Sequence, residues 1–276
     1  MSRMLDRPGT SIDMARPREQ MRARYPEMDG HIERDGVRVV YEVYGAGEQT
    51  VLMMPTWEIV HSRLWRAQIP YLARHCRVVC FDPRGNGRSD RPREPSAYDQ
   101  AEFADDAVAV LDAVSAERAI VVSLSLGAQR TLILGDRHPE RVEGAVFICP
   151  AVPLGRAPEH RGVAAFDAEL EVHEGWGKYN RGYWERDWPG FLEFFFSEMF
   201  SEPHSTKQIE DCVGWGLDTD AETIALGAGS TDLGPEETRA ICTRWHARAL
   251  VVQGDPDRIT GPYRGVELAR ALGCRW

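Results

Sequence analysis

The sequence lacks any apolar run that approaches the roughly 20 residues needed for a membrane-spanning helix. The first 20 residues also lack the apolar stretch of a secretory signal peptide. The six cysteines are scattered, without a CxxC pair or a His/Cys group at metal-ligand spacing. These absences predict a cytoplasmic protein with reduced thiols, no metal or other cofactor and no membrane partner.

Positive charge is in deficit, because 33 Lys and Arg residues face 43 Asp and Glu residues and leave a formal net charge of −10. A surface this acidic repels phosphate backbones, so we expect no nucleic-acid partner. Hydrophobic residues make up 43% of the 276 residues, which is enough for a core and excludes wholesale disorder. The composition therefore predicts one large domain and leaves its oligomeric state open.

Patterns typical of strands and of helices alternate along the chain. Asp35-Gly36 predicts a tight hairpin near the start. Short apolar runs that suit buried strands follow at residues 50–54, 77–81, 119–122, 144–148 and 249–252. Helical patterns lie between most of these runs, which predicts an α/β fold with a mostly parallel, doubly wound sheet and helices on both faces.

A long aromatic-rich stretch interrupts this alternation before the last of these runs. Five of its apolar residues follow the spacing of an amphipathic helix, namely Leu192, Phe195, Phe196, Met199 and Phe200. We interpret the stretch as an inserted helical cap whose rings pack onto the core and partly wall an apolar pocket. The predicted organisation is a loose N-terminal extension at 1–28, a core at 29–150, the cap at 151–247 and a second core part at 248–276.

The sharpest motif lies where the run at residues 119–122 gives way to a helix. Ser125 stands there between two small residues, Ser123 and Gly127, each two positions away. A nucleophile elbow needs this pattern, because its turn is so tight that bulky side chains at the flanking positions would clash. Such a turn holds a serine hydroxyl above the carboxyl edge of the sheet, close to the free N–H groups of the next helix.

Three segments, in this order along the chain, carry a resemblance to a known family. They are DPRGNGRSD at Asp82–Asp90, the elbow at Ser123–Gly127 and QGDPD at Gln253–Asp257. They resemble the α/β-hydrolase superfamily, in its capped epoxide-hydrolase-like and haloperoxidase-like group. The resemblance covers roughly residues 30–276 and implies an α/β-hydrolase fold with an inserted helical cap.

The resemblance also implies roles for individual residues. Ser125 would be the nucleophile and Asp257 the acid that orients a catalytic imidazole, with Asp255 as the less favoured acid. The oxyanion hole would use the backbone N–H groups of Leu126 and Trp57. The family usually has His-Gly before the second donor, whereas this chain has Pro55-Thr56.

A serine at the elbow narrows the chemistry. Relatives that open epoxides or remove halogen from haloalkanes use an aspartate at this position, whereas Ser125 suits acyl transfer. The resemblance therefore implies a small acyl substrate, such as an ester, lactone or thioester, and no cofactor. A cofactor-free perhydrolase with the same triad is one alternative. A hydrolase-like domain that binds a small molecule or a partner without turnover is another.

The base of the implied triad is missing from its expected place, because none of the 19 residues after Asp257 is a histidine. We expect that the chain is truncated, with Cys274-Arg275-Trp276 as the start of a last strand and the following helix absent. His61, behind the run at 50–54, and His204, in the predicted cap, are the best candidates to face the pocket. We expect them to contact substrate rather than to act as the base, and we expect activity to be impaired.

Overall fold

The computed structural model describes residues 22–156, 166–228 and 232–276. Its strands are β1 (Met28–Arg34), β2 (Val37–Tyr44), β3 (Thr50–Met53), β4 (Arg77–Phe81), β5 (Ala119–Leu124), β6 (Val142–Ile148) and β7 (Arg248–Val252). Its α-helices are α1 (Ile69–Leu72), α2 (Gln100–Ala113), α3 (Gly127–Arg137), α4 (Arg181–Arg186), α5 (Trp188–Met199), α6 (Thr206–Gly216), α7 (Ala221–Gly227), α8 (Pro235–Arg244) and α9 (Pro262–Leu272). Short 3-10 turns lie at Ser62–Trp65, Pro95–Tyr98, Pro139–Arg141 and Gly175–Lys178.

The strands form one sheet with the order β1-β2-β4-β3-β5-β6-β7. The first two pairs, β1-β2 and β2-β4, are antiparallel, and the other four pairs are parallel. The hairpin between β1 and β2 turns at Asp35 and Gly36, both with positive φ, as the Asp-Gly signal predicts. The predicted α/β class with a mostly parallel, doubly wound sheet is confirmed.

The main core lies between one face of the sheet and helices α2, α3, α8 and α9. Its centre is made of fully buried aliphatic and aromatic side chains, including Leu52, Val79, Val121, Leu132 and Phe147. Strands buried on both faces read as continuous apolar runs, which is why β3 and β4 could be predicted from the sequence.

The helical insertion, defined here as α4–α7, lies between β6 and β7 in sequence. Helix α5 contains four of the five positions predicted for an amphipathic helix, and the fifth, Phe200, caps its C-terminus. Helix α8 lies within the range predicted as cap, but it packs against α3 and α9, and its Ile241 belongs to the main core. Residues 157–165 and 229–231 of that range lie outside the described residues.

Both ends of the sheet bear on predictions made from the sequence. Of the extension predicted at 1–28, residues 1–21 lie outside the described part, and Arg22 pairs with the buried Glu42 at 2.8 Å. After α9, Gly273 caps the helix with φ +63°, and Val251 donates its N–H to the carbonyl of Arg275 at 3.0 Å. This parallel bridge places Arg275 beside β7. None of the described helices is long and apolar enough to cross a membrane.

A buried ion network ties the loop after β4 to α2 and β1. Asp106 on α2 is fully buried and accepts two hydrogen bonds from Arg84, at 2.7 and 2.8 Å. Arg34 on β1 donates a third hydrogen bond to the same carboxylate at 2.9 Å. Because Arg84 is also buried, its charge depends on this carboxylate for compensation.

We predict that Asp106→Asn lowers the free energy of unfolding by about 3–5 kcal/mol, because it leaves a buried guanidinium without its main counter-charge. The matched control is Asp105→Asn on the same helix. Asp105 pairs with Arg137 at 3.3 Å, and the Arg137 side chain is half-exposed. That change should cost less than about 1 kcal/mol. Urea unfolding curves of the two variants measure the difference, and equal losses would contradict this account of the network.

Candidate active site at the carboxyl edge of the sheet

The turn between β5 and α3 has the geometry of a nucleophile elbow. Ser125 has φ +51°, in the left-handed region that a non-glycine residue adopts only where its surroundings enforce it. The turn is held by hydrogen bonds from the Ser125 N–H to Ile148 O at 3.0 Å and from the Ala151 N–H to Ser125 O at 2.9 Å. Ser123 is fully buried, and its hydroxyl donates to Val146 O at 3.2 Å.

Close packing at Gly127 explains why a small residue follows the serine. A Cβ atom placed on Gly127 would lie 2.8 Å from the carbonyl oxygen of Pro55, in the loop after β3. Real Cβ atoms do not approach an oxygen that closely, so a larger residue would push the loop away. The β3 loop and the elbow are therefore in direct backbone contact.

The two backbone donors predicted for the oxyanion hole lie on the two sides of this contact. Within the described part of the chain, the N–H groups of Trp57 and Leu126 have no hydrogen-bond acceptor. Leu126 stands at the N-terminus of α3, where the helix leaves its first N–H groups unpaired. Trp57 lies in the β3 loop, which Met54 fixes to β5 by donating to Val122 O at 2.9 Å.

The indole of Trp57 is enclosed by rings of the helical insertion and of the segment just before it. Its ring centroid lies 5.2 to 6.4 Å from those of Tyr179, Trp184, Phe191 and Phe195. These contacts join the β3 loop to the insertion through one aromatic cluster. Aromatic pairs at such distances add to the gain from burying their area.

Asp257, in the loop after β7, is surrounded by donors. Its Oδ1 accepts the N–H groups of Ile259 and Thr260, each at 2.8 Å. Its Oδ2 accepts the Thr260 hydroxyl and, at 3.1 Å, the Gln253 amide. Burial raises the pKa of this carboxyl, but the hydrogen bonds outweigh that effect and hold the pKa below its ordinary value. Asp255, the less favoured acid, is exposed to solvent.

Cys149 is a neighbour of Asp257 that the sequence did not single out. It follows β6 with φ +42°, and its sulfur accepts the Gly254 N–H at 3.4 Å. Burial raises the pKa of the thiol, and the nearby Asp257 carboxylate adds to this shift. Its position directly after a buried strand was the available signal, since such positions meet at the carboxyl edge.

The two histidines predicted to face the pocket differ in burial and contacts. His61 is buried, and its Nε2 lies 3.2 Å from Asp218 Oδ2 beyond α6. His204 is exposed in the turn between α5 and α6. Within the described ranges, no histidine is a hydrogen-bond or ion-pair partner of Ser125 or Asp257. His160 falls outside those ranges.

The loop DPRGNGRSD connects the loop after β3 to the helical insertion. Asp82 accepts hydrogen bonds from the N–H of Ser62 at 3.2 Å and from the N–H of Arg88 at 3.0 Å. Asn86 donates to Glu58 O at 2.8 Å and to Trp215 O at 3.2 Å. This loop therefore fixes the β3 loop and α6 to one another.

A family model for the alpha/beta hydrolase fold matches residues 49–275. The chain belongs to this family, as the three motifs indicate.

Individual relatives agree with this membership. A 2-hydroxymuconate semialdehyde hydrolase of Pseudomonas sp. (strain CF600) is 36% identical over 124 residues, which are 45% of this chain and 44% of that protein. Epoxide hydrolase B of Mycobacterium tuberculosis (strain ATCC 25618 / H37Rv) is 45% identical over 85 residues, 30% of this chain and 24% of that protein. The chain thus spans less than half the length of these relatives. A bromoperoxidase structure from Bacillus anthracis shares the fold with a TM-score of 0.73, 20% identity and coverage of 90% of this chain and 89% of that one.

We predict that Asp257→Asn destabilises the protein in a pH-dependent manner. Because the folded-state pKa lies below the ordinary value of 3.8, the carboxylate contributes stability above that pH. This contribution is lost as the pH falls through the lower, folded-state pKa. The variant should lose about 1–3 kcal/mol at pH 5 to 7 and progressively less below pH ~3.8.

Urea unfolding of wild type and variant at pH 7, 5 and 3 measures this difference. The exposed Asp255→Asn is the matched control and should change little at any of these pH values. A loss that is the same at pH 3 and pH 7 would show that the charge of Asp257 is not the stabilising feature.

Proposed function

We propose that this chain is a serine hydrolase that attacks the carbonyl of a small acyl substrate with Ser125 and forms an acyl-enzyme. Membership in the α/β-hydrolase family, with relatives named as hydrolases, supports a general hydrolase function. The observation that carries the finer proposal is the elbow itself, a serine at φ +51° pressed against a loop with an unpaired N–H. The class of ester, lactone or thioester follows from a serine, rather than a carboxylate, at this position.

The chemistry would begin with attack of Ser125 Oγ on the substrate carbonyl. The carbonyl oxygen then gains negative charge and would accept hydrogen bonds from the N–H groups of Trp57 and Leu126. A pre-aligned donor of this kind is worth about 3 kcal/mol of transition-state stabilisation. The positive end of α3 adds to this effect, because Leu126 is the N-cap residue of that helix.

The proton of Ser125 needs an acceptor in the same step. Asp257 is fixed as a carboxylate by four donors, which suits an acid that stabilises an adjacent imidazolium. No histidine among the described residues is its hydrogen-bond or ion-pair partner, so the serine proton would pass to water as Oγ attacks. The alcohol or thiol of the substrate would leave when the tetrahedral intermediate collapses to the acyl-enzyme, and we propose that this acylation is slow. A positioned base contributes about 10²- to 10⁴-fold, which sets the size of the expected deficit.

The helical insertion would act as the cap that shapes the acyl pocket. Its rings surround Trp57, the proposed oxyanion donor, so the substrate would meet an apolar wall beside the reacting carbon. A small, rather apolar acyl group fits this lining. Six cysteines without disulfides suit a reducing compartment, and we propose a cytoplasmic location.

A fluorophosphonate probe tests the nucleophile directly. We expect intact-protein mass spectrometry to show a single adduct, and we expect Ser125→Ala to abolish it. Ser123→Ala is the matched control, because its hydroxyl is buried two residues away and donates to a carbonyl. An adduct of equal yield in Ser125→Ala would remove the basis of the proposal.

Added imidazole tests the missing base. We expect imidazole to accelerate 4-nitrophenyl acetate hydrolysis by the wild-type chain at least about 10-fold, saturably, after subtraction of the protein-free rate. 1-Methylimidazole should help less, because it can accept the serine proton but cannot donate to Asp257. Ser125→Ala should show no acceleration, and an equal response in that variant would place the reaction elsewhere.

A hydrolase-like domain that binds a small molecule without turnover is the second candidate. It is favoured by one observation, the satisfaction of Asp257 by backbone, hydroxyl and amide donors with no imidazole among its partners in the described ranges. Absence of both probe labelling and imidazole acceleration, in a folded protein, would support this candidate over the first.

A further inference from the structure

A buried ion pair joins the β3 loop to α3. Arg130 on α3 is fully buried and contacts Glu58 Oε2 at 2.7 Å, and Glu58 is 1% exposed. Neither residue belongs to the three motifs that carry the family resemblance. A buried pair of this kind adds little net stability compared with apolar residues of similar size. Its contribution therefore lies in the geometry of the loop that it holds.

The remaining donors of Arg130 are directed at the backbone of the same loop. Its guanidinium donates to Pro55 O at 3.3 Å and also to Thr56 O. Nε donates to Gln100 Oε1 at 2.8 Å, and the group stacks on the Phe103 ring with its Cζ 3.5 Å from the ring centroid. The guanidinium therefore contacts two residues of α2 and also donates to two consecutive carbonyl groups of the β3 loop.

Glu58 links the same loop to the helical insertion. A Cβ atom on Gly227 at the end of α7 would lie 2.3 Å from Glu58 Oε1, so that helix end packs directly on the carboxylate. The Glu58 carbonyl accepts the Asn86 amide, which also donates to Trp215 in α6. Trp57 thus stands between two residues that Arg130 holds, Thr56 and Glu58.

We propose that Arg130 and Glu58 form a positioning pair that sets the Trp57 N–H against the elbow. This inference rests on the proposed function, in which Trp57 is an oxyanion donor. The pair holds the loop where the family's usual His-Gly is replaced by Pro55-Thr56. Because Arg130 lies five residues after Ser125 on the same turn-and-helix unit, the pair ties donor and nucleophile to one rigid element.

The test measures the second-order rate constant for fluorophosphonate labelling of Ser125, corrected for the folded fraction. Arg130→Met should lower it about 10- to 100-fold, since one misplaced oxyanion donor costs up to about 10³-fold. Arg130→Lys should lower it less, because lysine keeps the charge opposite Glu58 but lacks the planar fork that reaches several acceptors.

The double variant Glu58→Met with Arg130→Met separates positioning from stability. It removes both charges, so the apparent melting temperature should recover relative to Arg130→Met alone, while labelling should stay slow. Glu42→Gln is the control, because it removes an equally buried carboxylate on β2 from its own partners, Arg22, Arg63 and Arg88. That variant should lose stability and keep its labelling rate.

Amide hydrogen exchange of the peptide that contains residues 56–60 gives a readout independent of chemistry. Arg130→Met should raise exchange in this peptide, with a smaller effect in the peptide that contains β5. Labelling that recovers together with stability in the double variant, or unchanged exchange in Arg130→Met, would overturn the positioning role. If the wild-type chain takes no label at Ser125, the proposed function fails, and exchange alone decides whether the pair holds the loop.

Discussion

At the carboxyl edge of the sheet, the loop after β3 lies so close to the elbow that a Cβ at Gly127 would stand 2.8 Å from the Pro55 carbonyl oxygen. This contact requires a glycine two residues after Ser125, because only the carbonyl group of Pro55 fits against a residue without a Cβ atom. It also fixes the distance between the two segments that offer unpaired N–H groups, at Trp57 and Leu126. The placement of the proposed nucleophile and of its proposed oxyanion donors therefore follows from one backbone packing constraint, and the surrounding charges and rings support that contact.

Buried charges are arranged around this contact in a consistent manner. Arg84 and Asp106 join the loop after β4 to α2, and Arg130 and Glu58 join α3 to the loop after β3. Both arginines also donate to backbone carbonyls of loops. Isolated ion pairs in a protein interior pay for their desolvation only when further hydrogen bonds complete the geometry. The loops at this edge thus depend on arginine forks where aliphatic packing alone would leave their carbonyls unsatisfied.

The sequence predicted the central strands with bounds accurate to a few residues, because β3, β4 and β5 are short apolar runs buried in the sheet. Helix α9 ends by an equally local rule, since Gly273 supplies the left-handed residue that caps it. The elbow was predictable because its small residues mark a turn that no bulky residue tolerates. Each of these features depends on residues that are close together in sequence, so a single sequence is enough to predict it.

Features that depend on distant partners were not predictable in this way. The sequence does not show that α8 packs on α3 and α9 rather than with the helical insertion. It does not show that Arg130 reaches Pro55 and Glu58, which lie more than 70 residues earlier in the chain. Arginine is almost never buried without partners, so an arginine in a sequence is expected at the surface unless its acceptors are known.

The acid shows how independent the parts of the site are. Asp257 draws its donors from its own loop, from Gln253 to Thr260, so its orientation does not require an imidazole to be present. The elbow is likewise held by β6 backbone groups, and the oxyanion loop by Arg130 and Gly127 contacts. Each group is thus fixed by neighbours that have no role in the proposed reaction. If the proposed roles hold, a base would be the separable component of this site, since it would change the rate of proton removal without being needed to assemble Asp257, the elbow or the two N–H donors.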